Sequence, residues 1–334
     1  MANLPCSNSK NITCNFSNSS WDEKKQNVSN EVNWIITIIF NSITCPFTVL
    51  LNVLVIMAVK RRTSLQSNAN ILLACLAATD ALTGLNTQPL FILWRTFLLT
   101  GINDATVSEL HKACFLTLAT CSCLQLMAVV CERLVAIKFT FYYPYIVTKR
   151  NIKLVVIVCW IYSIFYLIFK QIINPGVVIQ FLLIGPVFAS CIVFVSFSHV
   201  ILYHETLRHQ KMMKTQQLPQ EEVERFLKEN KALKTTVLVV CAFVLCLLPI
   251  LFGLVLASLG VLVVSVSVGS VFRTFIMLNS LLNPLIYCWR QEEMGRFVFR
   301  SSTQRVHPVN WKTSASVCLH IVVWIQFYFR PISG

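Results

Sequence analysis

Seven long apolar runs, separated by shorter polar segments, make up most of the chain. A helix needs roughly 20 residues to cross the ~30 Å hydrocarbon core of a membrane, and each run is about that long. The runs lie at about 33–59, 69–94, 106–137, 152–169, 176–203, 233–257 and 264–288. This pattern predicts an all-α membrane protein, with a seven-helix transmembrane bundle over residues 32–289.

The segment before the bundle, residues 1–31, is rich in Asn and Ser. It carries four Asn-x-Ser/Thr sequons, at Asn11, Asn15, Asn18 and Asn27. Four sequons in so short a stretch predict a glycosylated extracellular tail. The pattern of a cleavable signal peptide is missing, so the first membrane helix is expected to direct insertion. Two cysteines of this tail, Cys6 and Cys14, either form a disulfide loop or remain a free pair.

Two different segments follow the bundle. Residues 290–300, RQEEMGRFVFR, mix charged and apolar positions, which predicts a short amphipathic eighth helix on the membrane surface. Residues 301–334 include an apolar run at 317–329 that is too short to span a membrane comfortably. We therefore expect 301–334 to be a cytoplasmic tail.

Composition supports this class and excludes a soluble protein. Of the 334 residues, 56% are hydrophobic and 13% are charged, with a mean hydropathy of +0.67, whereas soluble domains are about 25% charged. A net charge of +14 would suit nucleic-acid binding, but the basic residues are spread between the apolar runs. No nucleic-acid partner is therefore expected.

The basic residues also predict the orientation of the chain. Fourteen Lys and Arg lie in the segments 60–67, 138–153 and 204–234, and four are expected in the opposite loops. Those four are Arg95, Lys112, Lys170 and Arg273. Because cytoplasmic loops carry the excess of Lys and Arg, we expect a multi-pass plasma-membrane protein with an extracellular N-terminus and a cytoplasmic C-terminus.

Polar residues inside the apolar runs are the candidate functional residues, since each must face the bundle interior or find a partner. Asp80 lies in the middle of the second run, and a buried carboxylate indicates a cation site or a proton acceptor. The amides and hydroxyls serve equally well as contacts between helices. They are Asn52, Ser122, Asn279, Ser280 and Asn283. At the end of the third run, Glu132 and Arg133 suit either an interface anchor or a functional pair.

Other kinds of membrane protein leave patterns that this sequence lacks. It has no HExxH or GxSxG motif and no paired intramembrane aspartates, so an enzyme is not expected. Cys and His residues show no zinc-ligand spacing. Without inverted repeats or paired intramembrane charges, a transporter or channel is the less favoured alternative. The seventh run contains no lysine, so retinal could not be held as a Schiff base.

Taken together, the motifs resemble the rhodopsin-like (class A) G-protein-coupled receptors over about 34–300. The matching positions are Asn52, Asp80 in LAATD, Glu132 and Arg133, Trp160, Phe243, Cys246 and Pro249 in FVLCLLP, and NPLIY at 283–287. Any one motif is weak, but their order and their placement on successive spans are specific. The resemblance implies a receptor that carries an extracellular signal to a heterotrimeric G protein, without a cofactor.

The resemblance also implies an activation switch at the inner end of the bundle. In the family the arginine that matches Arg133 is held by its neighbouring acid, Glu132, and by an acid on helix six, which matches Glu229. The switch opens when helix six moves outward. Alternatively, Glu229 belongs to a solvated charge run with other nearby acids. The same switch includes Phe243, Pro249, Asn283, Pro284 and Tyr287.

A sodium site is implied by four further matches. Asp80, Ser122, Asn279 and Asn283 match the family's sodium pocket, and such a set of oxygen ligands suits a hard cation. Sodium would act there as an allosteric ligand. No other metal is expected.

The sequence departs from the family at several positions. Leu247 replaces the tryptophan beside the helix-six proline, and Leu134 replaces the tyrosine after Glu-Arg. Ser108 stands where the outer disulfide needs a cysteine, and 170–175 has no cysteine either, as in the melanocortin, cannabinoid and lysophospholipid receptors. These departures leave open a receptor that signals without a ligand, or only through a heteromeric partner.

The residues at the family's ligand-contact positions narrow the chemical class of the expected ligand. Phe115 replaces the aspartate of amine receptors, and Leu254 replaces the asparagine of adenosine receptors. The acids of melanocortin receptors are also absent. The expected pocket residues are Phe115, Leu247 and Leu254, with Asn86, Thr87, Gln88 and Lys112 as polar candidates. This set favours a small, apolar or lipid-like extracellular ligand.

Overall fold

The computed structural model describes residues 9–139, 141–173, 188–198, 200–201, 204–205, 207–208, 237–249, 252, 266–291 and 293–298. Their secondary structure is helical, with short turns and no strand among them, so the prediction of an all-α protein is confirmed. The helices are α1 (Ser9–Arg61), α2 (Asn68–Leu99), α3 (Ala105–Lys138), α4 (Lys149–Ile173), α5 (Phe188–Ser198), α6 (Val237–Pro249), α7 (Val266–Arg290) and α8 (293–298).

Five of these helices, α1, α2, α3, α4 and α7, are long and apolar enough to cross a membrane. The described parts of α5 and α6 are shorter apolar helices, and they lie inside the fifth and sixth predicted runs. Each of the seven predicted runs therefore contains one described apolar helix.

The start of α1 differs from the prediction. The helix begins at Ser9, whereas the apolar run begins near residue 33. No Gly or Pro lies between Ser9 and Pro46, so nothing in the sequence forces the helix to begin later. Glycosylation of the sequons stays a prediction.

The middle of the bundle is formed by α2. In the most apolar stretch of α2, 78% of the residues are buried inside the protein, whereas only 28% are buried in the corresponding stretch of α4. The outer faces of α1 and α4 expose large aliphatic and aromatic side chains such as Ile36, Phe47, Ile161 and Phe165. In a membrane protein such faces contact lipid, so α2 is the helix whose polar residues must find partners inside the protein.

A π-turn at Thr83–Thr87 interrupts α2. Pro89 follows it and has no N–H to donate to the preceding turn, which disfavours a regular α-helix there. Within the turn, Gly84 lies against α1, because a Cβ added to it would lie 2.8 Å from Val49 Cγ2. The turn therefore combines a local change of helix geometry with a close contact between α1 and α2.

Both ends of α2 and the start of α3 have capping interactions. Ser67 accepts a hydrogen bond from Asn70 N at the start of α2. At its end, Gly101 has φ +78°, and Ile102 N donates to Phe97 O at 2.8 Å, as in a Schellman motif. Asp104 accepts hydrogen bonds from Thr106 N and Val107 N, which begins α3.

The predicted surface helix at 290–300 is described as α8 over 293–298. α7 extends to Arg290 and Gln291 is not helical, so the helix begins later than predicted. Met294 and Val298 are buried, whereas Glu293 is exposed. The segment is therefore amphipathic, and its position on a membrane surface stays a prediction.

Candidate functional site

Asp80 lies near the middle of α2 and is completely buried. Ser122 Oγ of α3 donates to its Oδ1 at 3.3 Å, and Ser280 Oγ of α7 donates to the same oxygen at 2.8 Å. Asn283 Nδ2 of α7 donates to Oδ2 at 2.8 Å. Among the described residues no basic side chain forms an ion pair with Asp80. Three neutral donors from two helices thus stabilise a carboxylate that has no described counter-ion.

Asn52 extends this cluster to α1. Its Nδ2 donates to Thr48 O at 2.8 Å and to Ser280 O at 2.9 Å, so it connects α1 with α7 next to the Asp80 partner. The amide oxygens of Asn52, Asn279 and Asn283 are buried and accept no hydrogen bond from the described residues. Buried acceptors of this kind are normally satisfied by water or an ion.

A small cavity adjoins the Asp80 cluster, with a water-accessible volume of about 20 Å³. This is room for about one water molecule or a small cation. Its polar lining comes from Ser122, Asn279, Ser280 and the π-turn threonines Thr83 and Thr87. Its apolar lining includes Phe115, Phe243, Cys246 and Leu247.

Of the predicted sodium ligands, the structure brings Asp80, Ser122 and Asn283 into direct contact and places Asn279 on the cavity wall. Ser280 was not among the predicted ligands, although its bond to Asp80 is as short as that of Asn283. Residues three apart share a helix face, and Ser280 stands three positions before Asn283. That spacing was the signal in the sequence that could have included Ser280.

The predicted ligand-pocket residues lie in different surroundings. Phe115 and Leu247 line the cavity, and Leu254 lies outside the described residues. Gln88 is directed toward α1, where its Nε2 donates to Thr44 Oγ1 at 3.1 Å. Lys112 is partly exposed and pairs with Glu109 at 2.6 Å.

At the opposite end of α3, Glu132 and Arg133 form a bidentate ion pair. Arg133 Nε donates to Glu132 Oε2 at 2.5 Å and Nη2 donates to Oε1 at 2.6 Å. Both residues are buried. Two parallel N–H···O bonds fix the guanidinium in one orientation. Glu229, the second predicted partner of Arg133, lies outside the described residues.

Tyr143 also contacts this pair, and no motif in the sequence indicated it. Its hydroxyl donates to Glu132 Oε1 at 2.6 Å. It belongs to a single helical turn, Tyr143–Ile146, in which Pro144 takes a position of the first turn that proline favours. The loop between α3 and α4 is thereby connected to the ion pair.

The remaining switch residues lie on α6 and α7. Tyr287 is completely buried, and its hydroxyl has no hydrogen-bond partner among the described residues. Pro284 has no N–H to donate to the carbonyl of Ser280, so the hydrogen bonding of α7 is interrupted between these two residues. Phe243 is buried on α6 and lines the cavity beside Asn279. α6 and α7 therefore meet at the Asp80 cluster, and α7 continues from there toward the Arg133 end.

Comparison with known proteins identifies this arrangement. The sequence profile of the seven-transmembrane receptors of the rhodopsin family matches residues 51–287. The chain belongs to that family. Its seven predicted spans are thus a seven-helix bundle, and the protein is a G-protein-coupled signalling receptor in a membrane. Receptors of this family are not generally enzymes.

Individual receptors are only distantly similar. Lysophosphatidic acid receptor 1-B of Xenopus laevis is 26% identical over 304 residues, covering 81% of this chain and 77% of the relative. Adenosine receptor A2a of Homo sapiens is 25% identical over 286 residues, covering 75% of this chain and 67% of the relative. Adenosine receptor A3 of Canis lupus familiaris is 33% identical over 113 residues, which is 34% of this chain and 35% of the relative.

Proposed function

We propose that this receptor binds a small, apolar or lipid-like extracellular ligand at the Phe115 end of the bundle and activates a heterotrimeric G protein at the Arg133 end. The excess of Lys and Arg in the segments next to Arg133 supports a cytoplasmic position for that end. Activation proceeds by outward movement of α6. The receptor is a plasma-membrane protein with its N-terminus outside.

The single observation that carries this proposal is the buried Glu132–Arg133 pair with its Tyr143 contact. Removing one partner from a buried ion pair typically costs roughly 3–5 kcal/mol, because the other charge is left uncompensated. Arg133 therefore leaves Glu132 only when another partner replaces it. A G protein entering beside α6 would supply that partner, so ion-pair opening and coupling favour each other.

The Asp80 cluster is the proposed sodium site. Asp80 and the unpartnered amide oxygens of Asn279 and Asn283 are oxygen ligands of the kind that a hard cation prefers, and the adjoining cavity has room for a small ion. Ser122 and Ser280 hydroxyls would complete the set. Sodium there would offset the charge of Asp80 and favour the arrangement of α2, α3 and α7 described above.

Basal nucleotide exchange on a panel of purified G proteins, in membranes with equal receptor levels, tests the coupling. We expect Glu132→Gln to raise exchange above wild type, because a neutral amide holds Arg133 less strongly, and Arg133→Ala to abolish it. Glu205→Gln is the matched control, since it breaks an ion pair with Arg208 that is longer, at 3.8 Å, and whose arginine is exposed. That variant should leave exchange unchanged.

The proposed Glu229 contact is tested in the same assay, with Glu229→Ala and a control at Glu224, which lies in the same charge run. If exchange rises for Glu229→Ala but not for the Glu224 variant, the result supports Glu229 as the second partner of Arg133. Equal exchange from Glu132→Gln and wild type would contradict the ion-pair switch. No exchange from any variant would overturn direct coupling and favour a receptor that acts through a heteromeric partner.

A further inference from the structure

Three basic side chains converge on one indole ring at the end of the bundle opposite Arg133. The Arg95 Cζ atom lies 3.9 Å from the centroid of a Trp94 ring, Arg273 Cζ lies 5.3 Å from it, and Lys112 Nζ lies 5.9 Å from it. The charge pattern placed the four basic residues of this side, Arg95, Lys112, Lys170 and Arg273, in loops. That placement was wrong, because all four lie within helices.

Arg95 is completely buried, and its Nε, Nη1 and Nη2 atoms have no hydrogen-bond partner among the described residues. Its guanidinium also faces the rings of Phe91, at 5.4 Å, and Trp34, at 5.8 Å. Aromatic faces attract a cation, but they leave the in-plane N–H donors unused. A buried charge normally has both a partner and hydrogen bonds. The missing interaction at Arg95 is therefore with an acceptor that carries negative charge.

The protein does not supply that acceptor from its described residues. Neither Arg95 nor Arg273 forms an ion pair there. Glu109 pairs with Lys112 at 2.6 Å, and Asp104 accepts the backbone N–H bonds that cap α3. The two acids described on α3 near this end are thus already engaged, whereas neither guanidinium is compensated by an acid in the described part of the chain.

Two further polar atoms face the same group of rings. Trp34 Nε1 is a buried donor without a partner among the described residues. His111 Nδ1 lies 3.2 Å from Thr87 O, which makes it the protonated nitrogen, and this leaves Nε2 as a buried acceptor without a described partner. The group therefore offers guanidinium and indole donors to an anion and one imidazole acceptor to a neighbouring hydroxyl.

Phe115 connects this group to the cavity. Its ring centroid lies 5.9 Å from that of His111, which lies one turn earlier on α3. Phe115 also lines the cavity together with Leu118 and Leu247, beside the polar residues described above. Along α3 from the cationic group toward the centre of the bundle, the side chains thus change from the imidazole of His111 to the aromatic Phe115 and the aliphatic Leu118. Because the cavity has room for about one water molecule, the apolar part of a ligand would pack against Phe115 and not enter the cavity.

We propose that Arg95, Arg273 and the Trp34 N–H form a binding site for the anionic head group, a phosphate or a carboxylate, of an amphiphilic ligand whose apolar part packs against Phe115. This inference rests on the proposed function, because it specifies the ligand of the same receptor. It assigns Arg95 as the main anchor and Lys112, which already pairs with Glu109, as a peripheral contact.

Thermal stability of the purified receptor tests the site without a G protein, so it succeeds or fails independently of coupling. The probes are octyl phosphate, octanoate, octanol and inorganic phosphate. We expect octyl phosphate or octanoate to raise the Tm, the stronger of the two identifying the head group, while octanol and inorganic phosphate do so only weakly. Stabilisation by octanol equal to that by the anionic probes would overturn the proposal. If inorganic phosphate raises the Tm as strongly as octyl phosphate does, the apolar part of the ligand contributes nothing and the proposal of an amphiphilic ligand is overturned.

Variants separate an anchor from a structural residue. Arg95→Met should weaken the response to the anionic probe by about 30-fold or more in Kd, as expected when one partner of a buried charged contact is removed. It should also leave the Tm without probe equal or higher, since it removes an uncompensated buried charge. If Arg95 is only structural, that Tm falls and the probe response persists.

Two more variants complete the test. Arg273→Gln should weaken the response in the same direction, and it provides a second measurement if Arg95→Met does not fold. Lys170→Gln is the matched control, because Lys170 is also basic and lies in the last turn of α4 on the same side of the bundle. A loss of response in Lys170→Gln as large as in Arg273→Gln would show a general charge effect and contradict the site.

Discussion

At the scale of single residues, the buried polar side chains of this receptor have unequal numbers of partners. Asp80 accepts three hydrogen bonds, whereas Tyr287 and Arg95 are just as buried and have none from the described residues. In a membrane the cost of an unsatisfied polar group is several kcal/mol. The fully bonded residues therefore stabilise one arrangement of helices, and the unsatisfied ones mark where a ligand, an ion or a movement can complete the bonding.

Asp80→Asn tests the ion site at this scale. The amide keeps the shape and most hydrogen bonds of Asp80 but removes the charge that attracts a cation, so basal exchange should no longer depend on sodium. The measurement is exchange in sodium against an equal concentration of a large organic cation. Ser163→Ala provides a control, because its hydroxyl donates to Cys159 O of its own helix and forms no hydrogen bond with Asp80 in the described part of the chain. Equal sodium dependence in wild type and Asp80→Asn would contradict the site.

Tyr143→Phe tests the contact between the α3–α4 loop and the ion pair. It removes one hydrogen bond to Glu132, which is worth about 1.5–3 kcal/mol when the acceptor is charged. Basal exchange should rise severalfold if that bond favours the inactive arrangement. Tyr145→Phe is the control on the same turn, since its ring is 80% exposed. An identical response of the two variants would assign the effect to the loop and not to the ion pair.

At the scale of elements, the sequence predicted which segments are helices better than where they begin and interact. Hydrophobic length located each span, because the membrane imposes it. The start of α1 was missed because an Asn- and Ser-rich composition does not itself end a helix. The π-turn of α2 was also missed, since Pro89 signals an irregularity without defining its form.

Gly84 is where this irregular turn limits the packing of α1 against α2. A Cβ there would lie 2.8 Å from Val49 Cγ2 and 3.2 Å from Thr48 Cβ, and both neighbours are β-branched residues with little rotamer freedom. Gly84→Ala should therefore destabilise the receptor by about 1–3 kcal/mol through overpacking, seen as a lower apparent Tm. Gly269→Ala is the control, because the atom nearest to its added Cβ is 4.0 Å away. A higher Tm for Gly84→Ala would show that α1 can move.

At the scale of the whole molecule, the sequence predicted which residues gather around Asp80 but not the group around Arg95. Asp80 and the residues around it could be predicted because a carboxylate inside an apolar run is conspicuous and its partners follow known motifs. The group around Arg95 could not, since Arg95 and Arg273 are 178 positions apart in the sequence and only the folded bundle places both on Trp94. The count of Lys and Arg in loops predicts the orientation of the chain, but it does not show that Arg95 is buried.

The proposed ligand site and the proposed G-protein interface both depend on the orientation of the chain in the membrane. If the N-terminus is extracellular, the sequons at Asn11, Asn15, Asn18 and Asn27 pass through the secretory pathway and acquire glycans. Digestion of the expressed receptor with a peptide N-glycosidase should then lower its apparent mass. The variant with all four asparagines changed to glutamine should already run at the lower mass and not shift.

A second measurement tests the orientation of the chain without depending on how efficiently the sequons are glycosylated. An epitope at the N-terminus should be accessible to antibody on intact cells, and one at the C-terminus only after permeabilisation. The opposite pattern would place Arg133 outside and Arg95 inside, and would overturn both the G-protein interface and the external entry of an anionic amphiphile. The expected pattern places the guanidiniums of Arg95 and Arg273 toward the extracellular ligand and the Glu132–Arg133 pair toward the G protein, with the Asp80 cluster between them.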